Sequence, residues 1–70
     1  MTDTTVQYRE SEPDFETIQQ IVDGYFTIIP MMDEKMMYIN EEGLIRKLPL
    51  NTEASKLVGY RIYGNVLVVG

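Results

Sequence analysis

The seventy residues contain no cysteine and no histidine. Without cysteine no disulfide can brace a small core, and without either residue the common structural zinc sites have no ligands. The same gaps remove the Cys–His and Ser–His–Asp arrangements of nucleophilic catalysis and leave only rarer Ser–Lys or carboxylate schemes. Basic residues are scarce, six against eleven acids for a net charge of -5, which argues against a duplex nucleic-acid binder, because phosphate neutralisation needs clustered Lys and Arg. No apolar run comes near the ~20 residues that cross a bilayer. The opening Met-Thr-Asp-Thr-Thr lacks the basic and apolar segments of a signal peptide, so the expected location is the cytoplasm.

What is present suits one folded domain: 44% of the residues are hydrophobic. A chain this short hides only about 60% of the surface it exposes when unfolded, so a lone core is thin. Self-association is the available remedy, and a homo-oligomer, dimer or tetramer, is expected. The charge is uneven. Eight of the eleven acids precede Lys35 with Arg9 as the only base among them, while five of the six bases lie from Lys35 onward. The back half could therefore present a local positive surface to a small anion.

Along the chain, residues 1–10 are polar around Val6 and Tyr8 and read as a flexible N-terminal arm, or at best an edge segment. A single α+β domain is expected over 11–70. Ser11 offers a cap oxygen, Asp14 stands three residues later and Pro13 suits a first turn, so a helix should begin here. Phe15, Ile18, Ile21 and Val22 form its apolar stripe, and Gly24 is placed to close it in a left-handed conformation. Tyr25–Pro30 and Lys35–Asn40 read as strands joined by a turn at Asp33 and Glu34. Met31, Met32, Met36 and Met37 flank that hairpin and suit core or interface filling better than a ligand pocket.

Glu41, Glu42 and Gly43 predict a tight turn with Gly43 at positive φ, followed by a short strand over Leu44–Lys47. Pro49 ends sheet pairing, Asn51 caps a short helix through Leu57, and Gly59 closes it. Arg61–Tyr63 and Asn65–Val69 read as one strand broken at Gly64, or as two. The sum is an α+β domain: a small, mainly antiparallel sheet of four to five strands with one N-terminal helix and one short helix. Val66–Val69 is apolar on both faces, so the outer edge or face of this last strand should need a partner, for which a second copy is the nearest source.

Catalytic groups are not arranged for chemistry. Ser55 and Lys56 are neighbours on a helix and diverge, Glu41 and Glu42 suit a solvated turn, and no Gly-rich phosphate cradle appears. Neither an enzyme nor a cofactor nor a metal site is expected. Binding is a different matter, because Arg46, Lys47 and Arg61 accompany Tyr38, Tyr60 and Tyr63. Guanidinium groups grip phosphates and tyrosine rings stack on bases, a mixture that suits a nucleotide-sized anion. The same mixture also dresses the wet face of an ordinary sheet.

Four stretches between Ile18 and Gly70 occur in a fixed order: Ile-Gln-Gln-Ile-Val-Asp-Gly-Tyr, Tyr-Ile-Asn-Glu-Glu-Gly, Leu-Pro-Leu-Asn-Thr-Glu-Ala and Ile-Tyr-Gly-Asn-Val-Leu-Val-Val-Gly. In this the chain resembles a small family catalogued as a domain of unknown function and scattered through phages, plasmids and their hosts. It departs from that pattern at Thr27 and Asn65, where acids are usual. The resemblance brings no catalytic residues. It implies a phage-type counter-defence protein that forms a homo-oligomer and sequesters a small nucleotide immune signal, of cyclic-dinucleotide type, without catalysis. The alternative is an inhibitor of a host or defence protein that uses Asp14, Glu16, Asp23, Asp33 and Glu34 to mimic nucleic acid. A third reading is an accessory domain that only oligomerises.

Overall fold

The computed structural model describes residues 4–70. Its elements are β1 (Val6–Arg9), α1 (Phe15–Val22), β2 (Phe26–Pro30), a 3-10 turn (Met32–Glu34), β3 (Met36–Asn40), α2 (Thr52–Val58) and β4 (Val66–Val69). The four strands form one sheet in the order β1-β4-β3-β2, with β2–β3 and β3–β4 antiparallel and β1–β4 parallel. The fold is α+β with a mostly antiparallel sheet, as the sequence led us to expect. No helix is long and apolar enough to cross a membrane among the described residues.

Strand membership differs from expectation in three places; at one of them Arg61–Tyr63 is no strand, and only Tyr63 pairs, in an isolated bridge with Leu50. Val6–Arg9 is an edge strand, paired Val6 to Val66 through Arg9 to Val69. β4 is thereby central, and its need for a neighbour on each side is met within the chain. That removes the open edge of the last strand as a ground for a second copy. The third correction is Leu44–Lys47, which is no strand. The Asn40 side chain accepts a hydrogen bond from the Glu42 N–H at 2.8 Å and turns the backbone out of the sheet. The following turns close through Arg46 N–H to Glu42 C=O and Leu48 N–H to Gly43 C=O, so residues 41–47 wind into a loop.

α1 begins later than Ser11 suggests. Asp14 is the N-cap, its carboxylate accepting from the Thr17 N–H at 3.2 Å, so Pro13 lies before the helix. Hydrogen bonds from the Thr17 side chain and backbone hold the Asp14 carboxyl below its usual pKa. At the other end Asp23, at φ 66°, takes the left-handed position expected of Gly24. α2 follows its expectation: Asn51 caps it through the Ala54 N–H at 3.1 Å, and Gly59 ends it at φ 84°.

Strand alternation sends Tyr38 and Leu67 to one face of the sheet and Met37, Val66 and Val68 to the other. α1 covers the first through Ile18, Ile21 and Val22. Ala54 of α2 and Ile62 cover the second, with Val6, Ile39 and Val58 around them. Two thin cores thus share one sheet. The cross-links that cysteine cannot provide come instead from two buried asparagines. Asn40 donates to Val22 C=O and Asp23 C=O at 2.9 and 3.1 Å, joining β3 to the end of α1. Asn51 donates to Thr5 C=O and Gly64 C=O at 3.1 and 2.8 Å, joining the cap of α2 to the segments that lead into β1 and β4.

Candidate functional site

The six residues read from the sequence as ligand-binding, Arg46, Lys47, Arg61, Tyr38, Tyr60 and Tyr63, do not form one site. Tyr38 is 1% exposed, inside the α1 core, with its hydroxyl donating to the Glu12 carboxylate. Burial, then the Glu12 hydrogen bond and charge, push the phenol pKa up to about 12. Its ring packs on Phe26 at 5.4 Å, and Phe26 on Phe15 at the same distance. A ring enclosed in this way is not available to stack on a ligand, so Tyr38 belongs to the core.

Arg46 is committed as well. Its guanidinium donates to Asp23 C=O at 2.6 Å and reaches the Asp23 carboxylate at 3.4 Å. The contact satisfies a carbonyl at the end of α1, where positive charge is favoured by the helix dipole. Gly24 is enclosed by the same two groups: a Cβ there would lie 3.2 Å from Arg46 Nη1 and 3.3 Å from Asn40 Nδ2. Lys47 is exposed in the loop at φ 56°, a left-handed position expected of Gly43. Gly43 is required for a different reason, because a Cβ would stand 3.0 Å from the Tyr63 carbonyl and 3.2 Å from its Cβ.

That close approach brings Arg61 and Tyr63 to the loop. Leu50 bridges Tyr63, Asn51 N–H donates to Ile62 C=O at 2.7 Å, and Gly64 N–H donates to Pro49 C=O at 2.8 Å. Ile62 is pinned from behind by Ser55, whose hydroxyl donates to Asn51 C=O and accepts from Ile62 N–H at 2.8 Å. Ile62 is buried between exposed Arg61 and half-buried Tyr63, and all three come to the same side of the loop. With Ile39, Glu41, Gly43 and Leu44 they line an open groove of about 190 Å³. Among the described residues Arg61 makes no hydrogen bond or ion pair. Leu44 in that lining is 70% exposed, and Tyr60 is exposed next to Arg61 in sequence.

A larger groove, about 440 Å³, lies between the 3-10 turn and the end of α2, lined by Met31, Met32, Lys35, Leu57 and Val58 with Asp33 at its rim. It contains none of the six expected residues. The methionines divide between roles: Met37 is fully buried, Met31 and Met32 line this groove, and Met36 is half exposed. No group of three Asp or Glu side chains is placed to hold a metal among the described residues.

The groove's other walls carry little signal in the sequence. Leu44 reads as a strand residue and Gly43 as a turn residue, and only the Gly43–Tyr63 contact, made across twenty positions, shows that they face Arg61. Asn40 likewise reads as the last residue of a strand, although it organises the whole corner. Among curated proteins and among solved structures, none matches the chain. A family model does, across residues 1–70, and the chain belongs to the family described as a domain of unknown function, DUF3846.

Proposed function

We propose that this domain is a non-catalytic binding module for a nucleotide-class anion, held at the Arg61–Tyr63 groove and sequestered rather than turned over. The observation that carries the reading is Arg61: among the described residues it is an arginine without a partner, at the rim of a groove that also offers a tyrosine and exposed leucine. A guanidinium left in water beside a ring and an apolar wall suits a phosphate attached to a base. Of the other expected residues, Tyr60 adjoins Arg61 in sequence and Lys47 is exposed in the loop that carries Leu44, and these two serve as the groove's outer contacts. Arg46 and Tyr38 serve the fold.

At about 190 Å³ the groove is smaller than the roughly 300–1,000 Å³ of sites that enclose a drug-sized ligand. One base or one phosphate fits it, and a cyclic dinucleotide would need two such grooves, as a homo-oligomer offers. Sequestration of that kind would serve a counter-defence role. In the acid-mimic alternative two of the five acids are engaged within the fold, Asp23 by Arg46 and Asp14 by the first turn of α1.

A thermal-shift panel of mono-, di- and cyclic nucleotides tests the reading. A true ligand at a hundred times its dissociation constant adds about 2.7 kcal/mol of stability and raises the melting temperature. No shift with any nucleotide would end it.

A further inference from the structure

β2 is the outermost strand of the sheet, and its pairing with β3 fixes which backbone groups face outward. Tyr25 C=O accepts from Glu41 N–H, and Met31 N–H donates to Lys35 C=O. In the register Phe26–Asn40 through Pro30–Met36, these bonds mark the odd-numbered residues as the ones bonded to β3. The N–H and C=O groups of Phe26 and Ile28, and the C=O of Pro30, therefore point to the open edge. Pro30 is tolerated because its missing N–H would have faced outward.

Apart from Pro30 at its end, this edge lacks the usual protection. From Tyr25 to Met32 no residue is charged, whereas edge strands commonly carry Lys, a bulge or a covering loop. The opposite edge, β1, is marked by Arg9 and followed by Glu10, with Tyr8 bonded to Glu53. In a chain of net charge -5 two copies repel, and the uncharged edge is where that repulsion is weakest. Ile28 lies on the α1 face but is 43% exposed, beyond the helix's cover.

We propose that the outer edge of β2 is a self-pairing seam, at which a second copy of this chain adds its own β2 antiparallel, centred on Ile28. The inference rests on self-association and not on the identity of any ligand. That register overlaps the full strand. Ile28 N–H and C=O meet the same groups of the second copy, and Phe26 N–H meets Pro30 C=O of the second copy in both directions. The only donor the register lacks is the one proline cannot supply. On the α1 face the two Ile28 side chains cover each other; on the opposite face exposed Tyr25 meets Met31 of the second copy, a favourable sulfur–aromatic pairing. Two four-stranded sheets become one continuous sheet.

Sedimentation of the wild type, Ile28→Lys and Thr27→Lys, with circular dichroism to confirm folding, tests the seam. Both positions are exposed, so the variants should fold, and both should sediment as monomers where the wild type is a dimer. Amide exchange gives a readout without mutation: the Phe26 and Ile28 amides should be slowed by raising the protein concentration, and those of Val6 and Tyr8 on the other edge should not. A wild type that is monomeric at all concentrations overturns both self-association and the seam. A dimer that survives both lysines, with Phe26 and Ile28 amides indifferent to concentration, overturns the seam alone.

Discussion

Arg46 and Arg61 carry the same charge at two corners of one loop system, yet the structure uses them differently. At the first corner Arg46, Asn40 and Gly24 close around the end of α1, and each polar group there has a partner. At the second, Ser55 and Asn51 hold the backbone of Ile62 while the Arg61 side chain is left without one among the described residues. A cation that satisfies a helix carbonyl is part of the fold, and removing it should cost stability. A cation held by its backbone alone can be removed at little structural cost, so its contribution must be sought in binding.

The comparison breaks most visibly at Asn40. Asn40→Ala strands the Val22 C=O and the Glu42 N–H and leaves Asp23 C=O to Arg46 alone, and should lose about 3 kcal/mol in urea unfolding, since unpaired buried groups cost roughly 1–3 kcal/mol each. If the loss is under about 1 kcal/mol, the corner does not hold α1. Next is alkaline titration of Tyr38. Its folded pKa is raised, so its contribution is complete below pH about 10 and disappears as pH rises through about 12. Stability should fall by on the order of 2 kcal/mol across that window, and Tyr38→Phe should flatten the fall.

Smaller effects sharpen the contrast. Arg46→Ala should cost about 1 kcal/mol, because its pair is half exposed but includes a charge-assisted bond to the end of α1. Arg61→Gln should change unfolding by less than about 0.5 kcal/mol, as for a surface side chain with no partner among the described residues. Equal losses from the two arginines would erase the distinction between the corners.

Much of this frame was legible in the sequence. The β2–β3 hairpin showed itself through apolar residues on either side of Asp33–Glu34, and α2 through Asn51 and Gly59 at its ends. Those signals are local, and local rules decide them. The errors arose where distant residues decide. Val6–Arg9 looks too polar for a strand until buried β4 lies beside it, with Thr5 N–H bonded to Asn65. Leu44–Lys47 has strand composition, but the Asn40 side chain captures the backbone first. Gly43 lies in a turn, as its neighbours predict, but not at positive φ; glycine is needed there because Tyr63 approaches so closely. The site was half legible: residue types pointed to an anion, while nothing local separated committed Arg46 and Tyr38 from uncommitted Arg61.

The most direct measurement is calorimetric titration of a nucleotide that shifts the melting temperature into the wild type, Arg46→Gln and Arg61→Gln. Loss of one charge-assisted contact, worth about 1.5–3 kcal/mol, predicts at least about tenfold weaker binding for Arg61→Gln at unchanged stability, with Arg46→Gln binding as the wild type does. Wild-type affinity in Arg61→Gln, or an equal loss in Arg46→Gln, would contradict the assignment of the groove.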